Sequence, residues 1–248
     1  MADPPESFRA AAFDLDGTLI DTLPDLAAAV NLMLGMLGAR ELAPSAIRAL
    51  VGGGVEKLVH RALAESLGEQ SAHAAQRSAA VTLFGRLYGQ ALFERSQLYP
   101  GVEAALRALS AAGVGLCCVT NKDSRFATPL LERAGLRRFF AFTLCADTPE
   151  ERKPSPHLLL SACSRLGIAP AQMVYVGDSR VDIAAARAAG CRVVVVRYGY
   201  DTPALLEQAQ PDAIVDTLAD LPSLRLSSAP PDATRAPFDQ RGSGATPR

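Results

Sequence analysis

Residues 11–21 read Ala-Ala-Phe-Asp-Leu-Asp-Gly-Thr-Leu-Ile-Asp, an apolar run that ends in two carboxylates separated by one leucine. In an extended strand side chains alternate between faces, so Asp14 and Asp16 point the same way while Leu15 turns into the hydrophobic layer. Two carboxylates this close repel each other unless a cation or a shared proton relieves them. The stretch therefore predicts a functional site at the end of a buried strand.

The composition restricts the class of protein and its partners. The chain has 248 residues, 49% of them hydrophobic, which is enough for a sizeable core. Its net charge is −1 and no basic stripe is interleaved with aromatic residues, so we expect no nucleic-acid partner. The longest uncharged apolar-rich run, residues 26–39, is shorter than the roughly 20 residues of a spanning helix, so we expect no membrane partner.

The cysteines and the N-terminal residues indicate the cellular compartment of the protein. Five cysteines without a Cys-x-x-Cys spacing favour neither a disulfide framework nor a structural zinc site. Residues 1–6 show no positive region followed by an apolar one, so a secretory signal is not indicated. We therefore expect a cytoplasmic protein. Cys117 and Cys118 lie inside a predicted strand, where they are simplest to interpret as core residues.

The second half of the chain predicts an α/β fold. Apolar runs alternate with helix-like segments, which is typical of a Rossmann-like, doubly wound parallel sheet with right-handed crossovers. The predicted strands are residues 9–14, 114–119, 140–144, 173–176, 192–196 and 213–215. The predicted helices are residues 102–111, 124–134, 155–166, 181–189 and 218–224.

Residues 22–97 have a helical periodicity and no convincing strand, which predicts an α-helical domain inserted after the first strand. Its helices are expected to begin near Pro24 and Pro44 and to cover residues 56–67 and 72–94. The catalytic core would then comprise residues 1–21 and 98–225. Residues 226–248 are rich in Pro, Ser and Gly and are expected to form a disordered tail.

Polar residues follow several of the predicted strands. In an open parallel sheet, ligands bind outside the carboxyl ends of the strands. The residues expected there are Asp14, Asp16, Thr120, Asn121, Asp178 and Asp182, with Lys153 in a proline-containing loop before a helix. Each motif alone is typical of a turn or a helix cap. Their common position on one edge of the sheet favours a site.

These residue types fit phosphoryl transfer. Asp14, at the strand end, can attack phosphorus and form an aspartyl-phosphate. Asp16 can protonate the leaving oxygen and later deprotonate the attacking water. Carboxylates crowded against a phosphate require a hard cation, most simply Mg²⁺, for which Asp178 is the natural third ligand. Lys153 would neutralise the transferring group, and Thr120 would donate a hydrogen bond to it.

Four segments resemble the motifs of the haloacid dehalogenase superfamily in order and spacing, namely residues 14–21, 120–122, 153–154 and 177–182. The resemblance covers roughly residues 9–225, and the helical insertion matches the cap domain of the family. It implies that Asp14 is nucleophile and metal ligand, and that Asp16 is acid/base and gives its backbone carbonyl to Mg²⁺. It further implies that Asp178 binds the metal directly and that Asp182 is a second-shell or water-mediated ligand.

Narrower features resemble the bacterial phosphoglycolate phosphatases within this superfamily. Dehalogenases lack an acid/base at the position of Asp16, so its presence favours phosphate esters. The glycine run around Gly53 and the segment 198–200 are similar to those of the phosphatases. Such a run lets backbone amides approach a small anion, although it is equally typical of a helix stop and restart. The resemblance thus implies hydrolysis of 2-phosphoglycolate, with Gly53, Thr120, Asn121 and Lys153 binding the substrate.

Alternatives remain open from the sequence. The substrate could be another small phosphate, such as a sugar phosphate or pyrophosphate, and a receiver-like phosphoacceptor module shares the same residue types on a shorter chain. A substrate carboxylate could be bound by Lys57, Arg61 or Lys122. The sequence does not distinguish a monomer from a homo-oligomer. The three histidines are interpreted as surface or helix residues rather than ligands, and they are His60, His73 and His157.

Overall fold

The computed structural model describes residues 8–68 and 74–226. The predicted disordered tail, apart from Leu226, and His73 lie outside the described residues. Within the described ranges, no helix combines the length and the apolar character needed to cross a membrane.

A parallel sheet forms the centre of the molecule, with strand order β5-β4-β1-β6-β7-β8. Each neighbouring pair in this sheet is parallel, as predicted. The strands are β1 (Ala10–Phe13), β2 (Ile20–Asp21), β3 (Gln97–Leu98), β4 (Gly115–Thr120), β5 (Phe142–Cys145), β6 (Met173–Gly177), β7 (Arg192–Val196) and β8 (Ala213–Val215). The predicted α/β fold class is confirmed.

Helices cover both faces of the sheet, which is why the central strands are continuous apolar runs. Phe13 faces a core with the helices α5 and α6, whereas Ala12 faces one with α7, α8 and α9. Cys117 and Cys118 are buried on opposite faces, so their prediction as core residues is confirmed. The helices are α1 (Leu23–Met36), α2 (Pro44–Leu50), α3 (Val55–Leu67), α4 (Ala74–Gln90), α5 (Val102–Ala111), α6 (Ser124–Arg133), α7 (His157–Leu166), α8 (Arg180–Ala189) and α9 (Pro203–Gln208).

Most predicted boundaries agree with the structure within a few residues, and the differences lie in short elements. Helix α9 and the two-residue strands β2 and β3 were not predicted, because segments this short carry little periodicity. Residues 218–224 were predicted to be a helix, and the structure has a 3₁₀-helix over Leu218–Ser223 that contains Pro222. His60 and His157 lie on α3 and α7.

The helical insertion, α1 to α4, leaves the core after β2 and returns to it at β3. These two strands pair antiparallel, Ile20 with Leu98 and Asp21 with Gln97, so entry and exit of the insertion lie side by side. The buried face of α1 provides the packing surface of the insertion. Asp21 also accepts a hydrogen bond from the Leu23 amide at 3.2 Å, at the start of α1.

Asp25 connects the two ends of the insertion a second time. This carboxylate is 1% exposed. It accepts hydrogen bonds from the backbone amides of Arg95, at 2.8 Å, and Ser96, at 3.0 Å, and from the Ser96 hydroxyl. A buried carboxylate with three donors is stabilising chiefly because its removal leaves those donors unsatisfied.

We therefore expect Asp25→Ala to lower the free energy of unfolding by about 2 to 4 kcal/mol, the cost of buried amides without acceptors. Urea denaturation followed by circular dichroism measures the change. The control is Glu41→Ala, an exposed carboxylate, which should change the free energy by less than about 0.5 kcal/mol. Equal unfolding midpoints for the two variants would contradict this role for Asp25.

Candidate active site

The predicted site residues meet around one cavity of about 580 Å³ at the carboxyl ends of the parallel strands. Asp14 directly follows β1, Thr120 ends β4, and Asp178 directly follows β6. Gly53 reaches the same cavity from the loop between α2 and α3 of the insertion. All eight predicted residues line it: Asp14, Asp16, Gly53, Thr120, Asn121, Lys153, Asp178 and Asp182.

Three carboxylates form a tight group in this cavity. Asp14, Asp178 and Asp182 each offer an oxygen within 4.8 Å of the others. Lys153 is the cation beside them, since its ammonium lies 2.9 Å from Asp14 Oδ2 and 2.7 Å from Asp182 Oδ1. One lysine cannot balance three clustered carboxylates, so the group as a whole favours a further cation.

Asp182 is fixed by donors from several directions. Burial opposes its ionisation, but Lys153 and the Ser179 hydroxyl, which donates at 2.6 Å, together hold the pKa of Asp182 below its ordinary value. The amides of Asp178 and Ser179 donate to the same oxygen. The Tyr175 hydroxyl lies 3.1 Å from the other oxygen and accepts from Lys153 at 2.7 Å. Asp182 therefore acts as an ionised anchor for Lys153.

Asp14 keeps one oxygen without a partner. Its Oδ2 contacts Lys153, whereas Oδ1 is buried and has no hydrogen-bond partner among the described residues. Burial raises the pKa of Asp14 to about 6 despite the attraction of Lys153. An incompletely satisfied buried carboxylate is costly unless a ligand or a cation completes its contacts. The free oxygen is therefore available for a metal or for phosphorus.

Asp178 is oriented by two donors and by two glycines. Its oxygens accept from the Thr18 hydroxyl at 2.8 Å and from the Tyr200 amide at 2.7 Å. Burial, Asp182 and Asp14 raise the pKa of Asp178 well above its ordinary value. A Cβ at Gly17, where φ is +82°, or at Gly199 would approach Asp178 atoms to 2.4 Å or 2.0 Å. Only glycine fits at either position.

This donor set fits a hard divalent cation. The oxygens are close enough to share one ion, and Asp14 has an oxygen without a partner among the described residues. Burial, and after it repulsion between the aspartates, raises the pKa of Asp14 and of Asp178, and positive charge would relieve both effects. The carboxylate of Asp16 is not part of this group. Its predicted contact with the metal was through the backbone carbonyl, and that contact remains a prediction.

Asp16 instead belongs to a second charged group. Its two oxygens accept from the ammonium of Lys122 at 3.0 Å and 3.1 Å. The Thr22 hydroxyl donates to Asp16 Oδ1 at 2.6 Å rather than capping α1. Lys122 was considered as a ligand for a substrate carboxylate, and the structure shows its ammonium engaged by Asp16 and by the Tyr88 hydroxyl, at 2.8 Å.

Asn121 organises the loops around the cavity. Its amide nitrogen donates to the carbonyls of Gly52, at 3.0 Å, and Lys153, at 3.2 Å, and its oxygen accepts from the Lys153 amide at 2.7 Å. The side chain thus joins the insertion to the loop of Lys153. Thr120 accepts from the Lys122 amide at 3.2 Å through its hydroxyl oxygen.

The glycine run of the insertion lines the cavity opposite the carboxylates. Gly52 and Gly54 have φ values of +107° and +84°, which favour glycine. Lys57 packs over Gly53, and Arg61 lies one turn further along α3. Both cations line the cavity, and neither forms an ion pair within residues 8–68 and 74–226.

Sequence reasoning did not identify the side chains that support the site from a distance. Tyr88 and Tyr175 were not singled out, although Tyr175 lies just before the motif at 177–182, and the fold brings their hydroxyls to Lys122 and Lys153. Tyr200 lies in the segment 198–200, but its contact with Thr22 was not identified. Thr18 and Thr22 carried a detectable signal, because Thr18 is a polar residue inside the first motif and Thr22 directly follows that motif.

Comparison with known proteins identifies the family. The family model described as a haloacid dehalogenase-like hydrolase matches residues 8–190. A phosphoglycolate phosphatase of Nitrosospira multiformis is 44% identical over 215 residues, 86% of this chain and 94% of that protein. Phosphoglycolate phosphatase 1 of Pseudomonas aeruginosa is 38% identical over 236 residues, 94% of this chain and 86% of that protein.

Solved structures of similar sequence share the fold. A structure from Haemophilus somnus, titled as a predicted phosphoglycolate phosphatase, superposes with a TM-score of 0.83 at 35% identity and covers 87% of this chain and 96% of its own. CbbY of Rhodobacter sphaeroides, in complex with phosphate, has a TM-score of 0.74 at 25% identity and covers 86% and 96%.

These matches confirm two predictions made from the sequence, the superfamily and the enzyme class of a phosphoric monoester hydrolase. The family match spans the carboxylate group, Asn121 and Lys153 and ends just past α8. The relatives extend the similarity over most of the chain. The chain belongs to the haloacid dehalogenase-like hydrolase family.

Proposed function

We propose that this chain is a Mg²⁺-dependent phosphatase that hydrolyses 2-phosphoglycolate to glycolate and phosphate through an aspartyl-phosphate. The observation that carries the proposal is the free, buried oxygen of Asp14 beside Lys153 and two further carboxylates. The names of the similar proteins support phosphoglycolate as the substrate. The free cations of α3 support an anionic substrate.

In the first step, Asp14 attacks phosphorus. A bond forms between its carboxylate oxygen and phosphorus, the ester P–O bond breaks, and Asp16 gives a proton to the leaving oxygen of glycolate. Lys153 neutralises charge on Asp14 and on the phosphoryl oxygens, and the Thr120 hydroxyl donates a hydrogen bond to one of these oxygens. Asn121 holds the loop that positions Lys153.

In the second step, Asp16 acts in the opposite direction. It takes a proton from a water molecule, whose oxygen forms a bond to phosphorus while the bond to Asp14 breaks. Phosphate leaves and Asp14 is regenerated. The ion pair with Lys122 and the hydrogen bond from Thr22 orient Asp16 for both proton transfers.

Asp14, Asp178 and the backbone carbonyl of Asp16 would hold Mg²⁺, with Asp182 acting through a water molecule. The ion supplies positive charge that lets a phosphate dianion approach this acidic cavity. The protein contributes the orientation of Asp178 by Thr18 and the Tyr200 amide.

The helical insertion, residues 22–97, would act as a cap on the core of residues 1–21 and 98–225. Gly53 would present its backbone to the substrate, while Lys57 and Arg61 would bind the substrate carboxylate. Closure of such a cap excludes water other than the attacking molecule. A cytoplasmic location and the absence of nucleic-acid and membrane partners stay predictions.

The metal requirement can be tested without an activity assay. Mg²⁺ bound to the folded state alone should raise the melting temperature of the protein measured by differential scanning fluorimetry. Asp178→Asn should lose most of this stabilisation because the carboxylate charge is removed. The matched control is Asp220→Asn, an exposed carboxylate remote from the cavity, which should keep it. An identical response of all three proteins to Mg²⁺ would contradict the proposed ligand.

A panel of small phosphate compounds tests the identity of the substrate. The comparison uses kcat/KM for 2-phosphoglycolate, glucose 6-phosphate, inorganic pyrophosphate and 2-hydroxyethyl phosphate, the last of which lacks the carboxylate. We expect 2-phosphoglycolate to be preferred by at least about tenfold, since cations of the cavity that form no ion pair with the described residues disfavour a phosphate without the carboxylate. A smaller preference would leave the phosphatase activity in place but would reject 2-phosphoglycolate as its substrate.

A further inference from the structure

Tyr88 reaches from α4 of the insertion into the half of the site that contains Asp16. The residue is 1% exposed, and its hydroxyl accepts a hydrogen bond from Lys122 Nζ at 2.8 Å. Its ring stacks on Phe84 of α4 at 5.5 Å and meets Phe126 of α6 edge-on at 5.2 Å. Residues of both the insertion and the core therefore fix this ring.

Lys122 uses all of its donors in this arrangement. The side chain is 4% exposed, and an ammonium has three N–H groups. They face the two oxygens of Asp16 and the hydroxyl of Tyr88. A buried ammonium is tolerated only when it is paired and fully hydrogen-bonded. Without the Tyr88 hydroxyl, one donor loses its acceptor and the flexible lysine stem can rotate away from Asp16.

We propose that Tyr88 is a positioning residue for proton transfer, because its hydroxyl holds Lys122 in the place where the lysine orients the carboxylate of Asp16. The inference rests on the proposed function, in which Asp16 is the acid/base. It adds that the helical insertion takes part in the chemistry: the contact exists only when α4 is docked on the core. The Thr22 hydroxyl also donates to Asp16, at Oδ1 and 2.6 Å.

The leaving oxygen determines how much this positioning matters. When the bond from Asp14 to phosphorus forms and the ester P–O bond breaks, the electron pair goes to the leaving oxygen and the proton of Asp16 follows it. An alkoxide such as that of glycolate is strongly basic and needs the proton in the transition state. A p-nitrophenolate is weakly basic and leaves almost as readily without it.

The test is Tyr88→Phe, which keeps the ring and removes only the hydroxyl. We expect kcat/KM to fall about tenfold for 2-phosphoglycolate and less than about threefold for p-nitrophenyl phosphate. The tenfold loss is a part of the roughly 10²- to 10⁴-fold acceleration that general acid catalysis supplies. The ratio kcat/KM is used because it includes cleavage of the ester bond.

The control is Tyr99→Phe. This tyrosine is also largely buried against another ring, that of Tyr198 at 4.2 Å, but its hydroxyl forms no hydrogen bond with any described residue. Tyr99→Phe should hydrolyse both substrates at rates within about twofold of the wild type, because the aromatic ring and its packing contacts are kept.

Lys122→Met tests whether Tyr88 acts through the lysine. We expect this variant to show the same selective loss of kcat/KM for 2-phosphoglycolate. Adding Tyr88→Phe to it should change kcat/KM by less than about twofold further, because the effects of coupled residues are not additive. Thermal melting of each variant confirms that it is folded. A full, additive loss in the double variant would show that Tyr88 does not act through Lys122.

If Tyr88→Phe lowered kcat/KM equally for both substrates, the hydroxyl would have a structural role. If kcat/KM fell for neither substrate, the hydroxyl would not contribute to catalysis. Either result would overturn the inference. Failure of the proposed substrate is recognised separately, because the wild-type protein would then show less than about a tenfold preference for 2-phosphoglycolate in the panel. In that case the same selective loss is expected on whichever alkyl phosphate of the panel the wild type hydrolyses fastest.

Discussion

Lys153 places a buried ammonium between the carboxylates of Asp14 and Asp182, at 2.9 Å and 2.7 Å, and the arrangement of the site follows from this charge. Asp182 is itself held by the capping contacts at the start of α8, so the lysine is anchored to the element that also follows Asp178. Tyr175 supports the ammonium from β6, and Asn121 supports the backbone of Lys153 from the end of β4. The result is a partly neutralised group of acids, in which Asp14 keeps one oxygen free for a ligand. Without the ammonium of Lys153, the buried carboxylates would lack a compensating charge, which is strongly destabilising.

Two lysines divide the acidic residues into groups with different chemistry. Lys153 belongs to the group of Asp14, Asp178 and Asp182, whereas Lys122 pairs with Asp16 alone. Asp14 and Asp16 are two residues apart in sequence, yet their different partners suit them to different tasks, as environments do for paired carboxylates in general. The helical insertion contributes to both groups, through the contact of Gly52 with Asn121 and through that of Tyr88 with Lys122. The position of the insertion is thereby linked to the geometry of the reacting groups.

The sequence predicted the sheet and the motif residues well, because buried parallel strands are continuous apolar runs and the residues that follow them meet at one edge. Strand β7, for example, is Arg192 followed by four valines, a continuous apolar run typical of a strand that is buried on both faces. Contacts between distant parts of the chain were not predictable in this way. The pairing of β2 with β3 involves two residues on each side, and Tyr88 looked like one more apolar position on an amphipathic helix. The pairing of Lys122 with Asp16 was also missed: Lys122 lies in a motif and was considered as a ligand for a substrate carboxylate, but its contact with a residue 106 positions away depends on the fold.

The central claim is that Asp14 becomes phosphorylated. The direct measurement is mass spectrometry of acid-quenched protein after brief exposure to p-nitrophenyl phosphate and Mg²⁺. Asp16→Asn is used because it slows hydrolysis of the intermediate, while p-nitrophenolate leaves without a proton from Asp16. Asp14→Asn in the same background is the control. We expect one added phosphoryl group on the peptide that contains Asp14, which disappears as phosphate is released, and none in the control. Turnover of the ester with no phosphorylated peptide, or with the group on another residue, would contradict it.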